Sequence, residues 1–278
     1  MNRHYIFIDV DGTLVSYENE LPESAVTAIK LAQKNGHKVY TVTGRSKAEM
    51  YEEILSIGFD GYIGGNGSYI ESDGEVISER SLSYEDCRRI VDWLHDKGLE
   101  FYLESNDGLY GSEHFAERAQ KTIQVYTARK GNKEADKITV KEAFPDMIFG
   151  ENLYREKVNK ISFVLNDFSD YLEAREVFSD FRVGTWGGAG ETALFGDVAL
   201  DNIDKQTALD LLMTHLKESN KHTIAFGDAK VDIPMLEYCK TGVAMGNGGP
   251  DIKEIADYIT DDVENDGLYN AFKHFGLI

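Results

Sequence analysis

The sequence predicts an α/β protein: a Rossmann-like parallel-sheet core domain interrupted by an inserted α+β cap domain. Short apolar runs alternate with amphipathic helical stretches at both ends of the chain, the rhythm of parallel βαβ units. The middle, about 83–186, has longer charged helices and half-buried strands instead. Acidic or small polar residues follow several apolar runs directly, where a parallel sheet opens its ligand crevice.

Tyr5-Ile6-Phe7-Ile8 is a short all-apolar run, as expected of a strand buried on both faces. Residues 23–35 place Ala25, Ala28, Ile29 and Ala32 at helical spacing and close on Asn35-Gly36. Lys38 to Val42 reads as the second strand. Ser46 and Glu49 have capping-box spacing, and Met50, Ile54 and Ile57 would supply the buried stripe of the helix that follows. Gly61-Tyr62-Ile63 is a short third strand.

The insert begins with a helix from Ser83 to Lys97, with Ile90, Val91 and Leu94 inward. Leu99–Leu103 and Lys160–Leu165 alternate as strands, 169–180 is helical, and Phe181–Trp186 is a further strand. The core pattern then returns. Residues 205–218 form a helix, Thr223–Phe226 a buried strand, and 231–239 a helix. Gly242–Met245 and Ala256–Ile259 are the last strands. The expected division is 1–82 with 187–278 for the core, and 83–186 for the insert.

Composition narrows the class of partner. The 278 residues include 29 Lys plus Arg against 49 Asp plus Glu, a formal net charge of −20. Such a surface repels nucleic acid and anionic membranes. Cys87 and Cys239 are far apart with no metal-ligand spacing, which suggests reduced thiols and a cytoplasmic protein. The apolar stretch near the start is too short for a signal sequence, and no segment approaches the ~20 apolar residues of a membrane span. A monomer and a homodimer are both compatible with this.

Asp9-Val10-Asp11-Gly12-Thr13 stands where the first strand stops. Alternation puts Asp9 and Asp11 on one side, and Gly12 permits a tight turn. One carboxylate of such a pair can act as a nucleophile while the other shuttles a proton. A calcium loop fails because Gly12 falls at loop position four rather than six. Asp228 follows another buried strand, with Asp232 one helical turn further on. Thr43-Gly44-Arg45 ends the second strand beside a helix start, a small-anion site. Lys205 opens its helix and could supply a fixed cation. Four ionised carboxylates beside a phosphate dianion would sum to about −6, and each like-charge pair 4 Å apart costs on the order of 4 kcal/mol. A divalent cation and a protonated Asp11 would relieve this, and oxygen-only ligands with phosphate favour Mg²⁺. No GxxxxGK[ST] loop and no dinucleotide-binding glycine spacing is present.

The ordered set resembles the haloacid dehalogenase-like hydrolases, specifically the Cof-type phosphatases with a type-IIB cap. DVDGT is similar to the family's first motif, TGR to its second, IDKQTAL around Lys205 to its third, and GDAKVDIPML to its fourth. The resemblance implies an Mg²⁺-dependent phosphatase acting on a small phosphorylated metabolite through an aspartyl-phosphate. It makes Asp9 the nucleophile and a metal ligand, and Asp11 the acid/base and a metal ligand through its carbonyl. Asp228 would bind the metal and Asp232 support it. Phosphate contacts would come from Val10, Thr43, Gly44, Lys205 and, through VAMGNG, Asn247. A phosphometabolite-binding protein without turnover, or a phosphomutase, would be the rivals. The pattern breaks at Val231, where the family usually has an Asn that helps bind phosphate, so that either Asn247 or a cap residue would compensate or turnover would be weakened.

Overall fold

The computed structural model describes residues 3–188 and 190–278. Along the chain, β1 (Tyr5–Ile8) leads through α1 (Glu23–Lys34) to β2 (Lys38–Val42). Next come α2 (Glu52–Leu55), β3 (Gly61–Gly64), β4 (Tyr69–Ser72) and β5 (Glu75–Glu79). The middle opens with α3 (Tyr84–Lys97), β6 (Phe101–Ser105) and β7 (Leu109–Gly111). It continues through α4 (Phe115–Arg118), α5 (Gln120–Arg129), α6 (Val140–Ala143) and β8 (Met147–Phe149). β9 (Val158–Val164), α7 (Phe168–Val177), β10 (Arg182–Trp186) and β11 (Phe195–Ala199) complete it. The last third holds α8 (Lys205–His215), β12 (Thr223–Gly227), α9 (Ile233–Tyr238) and β13 (Thr241–Ala244). α10 (Pro250–Ile255), β14 (Tyr258–Ile259) and α11 (Gly267–His274) end the chain.

The chain divides into two compact units. The first contains Met1–Arg45, Met50–Glu79 and Ile203–Ile278, and the second Ser46–Glu49 and Arg80–Asn202. The first is built on a sheet ordered β14-β13-β12-β1-β2-β3-β4-β5. β1 pairs in parallel with both β2 and β12, so the chain leaves β1 to one side and returns on the other. That reversal of strand order opens a crevice at the carboxyl ends of β1, β2 and β12. Alternation along β1 serves two cores. Ile6 and Ile8 pack with Ala28 and Ile29 of α1 and Phe272 of α11. Phe7 packs on the other face with Tyr40, Ala225 and Leu209 of α8. Covering both faces explains why the strand is apolar throughout.

The second unit is a sheet ordered β10-β11-β9-β6-β7-β8. α3 and α7 cover one face through Ile90, Leu94, Ala174 and Phe178, and α4 to α6 pack around Tyr102, Val164 and Phe195. The boundary expected at 186/187 falls inside a hairpin. Phe195–Ala199 pairs antiparallel with both Arg182–Trp186 and β9, which keeps the chain in the second unit as far as Asn202. Gly187, at φ 75°, begins the hairpin connection.

The helix expected from Ser46 is also interrupted. A 3₁₀ turn at Lys47–Glu49 is followed by the short α2, with Tyr51 extended between them. Ser46 keeps half of its expected cap: its N–H and hydroxyl both donate to Glu49 Oε2, at 2.7 and 2.9 Å. No helix among the described residues is long and apolar enough to cross a membrane.

Candidate active site

Asp9 is the first residue past β1, and its N–H continues the ladder to Phe226 O at 3.0 Å. Lys205 enters from the first turn of α8, which Asp204 caps by accepting from Thr207 N. Its ammonium is 1% exposed and donates to Asp9 Oδ1 at 2.6 Å, Asp232 Oδ1 at 2.5 Å and Val42 O at 2.9 Å. An ammonium has three protons, so the three bonds fix Lys205 completely. Asp232 Oδ2 accepts from the N–H groups of Asp228 and Ala229, at 3.1 and 3.0 Å. Asp232 therefore acts as a buckle between Lys205 and the Asp228 loop, with both oxygens committed.

Asp228 is 2% exposed. Thr13 Oγ1 donates to its Oδ1 at 3.1 Å, and the Tyr17 hydroxyl donates to its Oδ2. Burial pushes the Asp228 carboxyl up to about 6, against the lowering effect of the Tyr17 and Thr13 hydroxyls. Burial and then the charge of Asp232 raise Asp9 well above the usual carboxylate range, with Lys205 opposing them. Burial works to lower Lys205, but Asp232 and Asp9 together hold it above its ordinary value.

Carboxylate oxygens of Asp9, Asp228 and Asp232 lie within 4.8 Å of one another. Three carboxylates face a single ammonium, which leaves an excess of two negative charges when all are ionised. A compact, all-oxygen, electron-rich cluster of this kind fits a hard divalent cation.

Asp11 lies on the outer side of this cluster. Arg45 grips it with Nε on Oδ2 at 3.0 Å and Nη2 on Oδ1 at 2.7 Å, and Nη2 also donates to Asn19 Oδ1 at 2.9 Å. Gly12 adopts φ 84°, and a Cβ there would stand 2.5 Å from Asp228 Oδ2 and 2.8 Å from Tyr17 Cζ. Only glycine satisfies both the left-handed backbone and this close approach.

Thr43, 1% exposed, takes Arg45 N–H on its Oγ1 at 3.1 Å, which leaves the hydroxyl proton available to a ligand. Gly44 lies against the Asn66 side chain, and Asn66 N–H donates to Thr43 O. The Val10 side chain is buried in the core, so only its backbone can face a ligand. Asn247 reaches the rim, but both ends of its amide serve backbone: Nδ2 donates to Gly12 O at 2.7 Å and Oδ1 accepts from Val263 N at 2.9 Å. It staples the turn after β1, and since an amide nitrogen carries two protons, a phosphate contact through the second would leave both bonds intact. Val231 is 50% exposed and fills no core position.

The structure thus brings Asp9, Asp228, Asp232 and Lys205 into direct contact or ligand range. Sequence reasoning missed Arg45, Thr13, Asn19 and Tyr17. Arg45 stood within the TGR segment, where a guanidinium beside acids was a usable signal. Tyr17 and Asn19 carried none.

A doubly wound sheet with carboxylates and a buried lysine at its switch point is the arrangement of an α/β enzyme whose site can hold a hard cation and an anionic group. The chain belongs to the haloacid dehalogenase-like hydrolase family, whose family model matches residues 6–272. It is a Cof-type phosphatase. It is 25% identical to phosphatase YwpJ of Bacillus subtilis, over 97% of this chain and 98% of that protein. Two solved structures match along nearly the whole chain. The subclass IIB sugar phosphatase BT4131 shares 26% identity at a TM-score of 0.75, covering 99% of this chain and 100% of the other. BT1666 of Bacteroides thetaiotaomicron, described among phosphatases of the superfamily, shares 28% at a TM-score of 0.78, covering 99% and 96%.

Proposed function

We propose that this phosphatase hydrolyses a small phosphorylated metabolite, such as a sugar phosphate, through an aspartyl-phosphate on Asp9, with Mg²⁺ as cofactor. The observation that carries the reading is the Lys205 ammonium locked between Asp9 Oδ1 and Asp232 Oδ1 at the carboxyl end of β1. A carboxylate held in this way is pre-oriented for attack, and among the described residues no hydrogen bond reaches its Oδ2. Asp9 and Asp228, with the Asp11 carbonyl, would hold the metal, and Asp232 would position Asp228 from behind. Bound Mg²⁺ supplies the positive charge that offsets the carboxylates and the phosphoryl oxygens.

An Asp9 carboxylate oxygen attacks phosphorus, and the bond to the leaving oxygen breaks as Asp11 delivers a proton to it. Water then attacks the same phosphorus, Asp11 takes its proton, and the Asp9–phosphorus bond breaks to release inorganic phosphate. Thr43, through its hydroxyl proton, and Lys205, through its charge since its three protons are already donated, stabilise the transferring group. Arg45 takes one lone pair on each Asp11 oxygen and so orients the carboxyl, leaving a second lone pair on each for proton transfer. The second unit is the substrate-selecting cap in this reading. A sugar phosphate is favoured because the similar BT4131 is a sugar phosphatase. Both cysteines are buried and free, which suits the reducing cytoplasm.

The test is hydrolysis of p-nitrophenyl phosphate and a panel of phosphorylated metabolites, with and without Mg²⁺, by the native protein and Asp9→Asn. Metal-dependent release of phosphate that Asp9→Asn abolishes is expected. Turnover retained in Asp9→Asn, with contaminating phosphatase excluded, removes the nucleophile assignment.

A further inference from the structure

The turn after the first motif, residues 16–20, sends a side chain back to the carboxylate cluster. The turn is built by Ser16, which is 2% exposed. Its N–H donates to Glu20 O at 2.9 Å, and its hydroxyl oxygen accepts from the N–H groups of Glu18 and Glu20, each at 3.2 Å. None of these bonds involves the Tyr17 side chain. The Tyr17 ring lies over Gly12, where the missing Cβ makes room for it, and its hydroxyl donates to Asp228 Oδ2.

Asp228 Oδ1 is already held by Thr13 inside the protein. Oδ2 is therefore the oxygen whose partner comes from a surface turn, and Tyr17 is 40% exposed. In the absence of a cation, a buried carboxylate needs donors on both oxygens, because a missing one costs its full desolvation. A cation attracted to the same oxygen supplies that compensation itself.

We propose that Tyr17 competes with the divalent cation for Asp228, holding Oδ2 in the cation-free protein and releasing it when the cation is taken up. This rests on the metal-dependent reading above and adds a residue that sets metal affinity. Tyr17 acts through Asp228 and is not a catalytic residue.

Mg²⁺ alone is the probe, titrated by calorimetry into the native protein and into Tyr17→Phe, which keeps the ring and removes only the hydroxyl. Tyr17→Phe is expected to bind Mg²⁺ about tenfold more tightly, since a hydrogen bond to a charged group no longer has to be broken. A second readout needs no change in affinity. Saturating Mg²⁺ should alter the near-ultraviolet tyrosine absorbance of the native protein, and that change should be missing from Tyr17→Phe. Equal or weaker binding by the variant, or no tyrosine signal in the native protein, overturns the proposal while leaving a metal-dependent phosphatase intact. A native protein that binds no Mg²⁺ overturns both.

Discussion

Arg45 holds Asp11 by a two-point fork, Nε to Oδ2 at 3.0 Å and Nη2 to Oδ1 at 2.7 Å, while Asp9 two residues earlier is held by Lys205 instead. The two acids of one motif thus have separate cationic partners. Asp9 sits beside a fully committed, buried ammonium. Asp11, with its side chain 32% exposed, sits beside a guanidinium that itself is 14% exposed. A nucleophile needs a fixed position and an acid/base needs a releasable one, and the two partners differ in that sense.

Lysine cannot reproduce the fork, because its ammonium is a point donor. Arg45→Ala and Arg45→Lys are expected to lower kcat/KM on p-nitrophenyl phosphate about ten- to a hundredfold, the cost of a misplaced catalytic group. Steady-state kinetics decide this. Wild-type values in Arg45→Ala would remove Arg45 from the mechanism.

Lys205→Met leaves Asp9 and Asp232 facing each other in a buried site without their cation. Breaking one side of a buried ion pair costs about 3–5 kcal/mol. Urea unfolding without divalent metal should show a loss of that order, together with loss of turnover. A variant as stable as the native protein would mean that the carboxylates are not held as described.

Val231→Asn tests the break in the fourth motif. Because Val231 is 50% exposed, the substitution should leave stability within about 0.5 kcal/mol. Asn247 is anchored to Gly12 and Val263, so only the second proton of its amide could serve in place of the missing donor. Restoring that donor is expected to raise kcat/KM by about tenfold. A fall would show that valine itself is used.

Glu104 gives a pH dependence confined to the second unit. It is buried with Ser162 Oγ on Oε1 at 2.6 Å and Lys160 on Oε2 at 3.0 Å. Burial and the charge of Glu49 push its carboxyl from 4.5 to about 8, with Lys160 opposing them. Asp197 is a further acid beside the same lysine. The folded protein therefore keeps a proton on Glu104 that the unfolded chain has lost above about 4.5. Its contribution to stability is complete below that pH and is lost as pH rises through about 8. Relative to Glu104→Gln, the native protein should lose about 2–4 kcal/mol between pH 5 and pH 9. Denaturation midpoints of both proteins at pH 5, 7 and 9 measure this, and a constant difference would contradict it.

The core strands were legible because burial on both faces writes an uninterrupted apolar run, as in Tyr5–Ile8 and Thr223–Gly227. The strand-end acids were legible for the same reason, since Asp9 and Asp228 interrupt those runs abruptly. The Tyr69–Ser72 and Glu75–Glu79 strands were missed, because Glu71, Glu75 and Glu79 dilute their pattern at the open edge of the sheet. β11 was missed because Gly196 and Asp197 sit in the middle of a five-residue strand, although all five residues are buried. The partners of the acids were least legible. Arg45 lies 34 positions from Asp11 and Tyr17 lies 211 from Asp228, and no local spacing announces contacts at such range.

The most direct test of the account is to stop the reaction with acid within the first turnover, with Mg²⁺ and a good substrate present, and to locate phosphate by peptide mass spectrometry. The account predicts phosphate on the peptide containing Asp9, at Asp9 itself, and none in Asp9→Asn. Phosphate on another residue, or a full burst of product from Asp9→Asn, would contradict it.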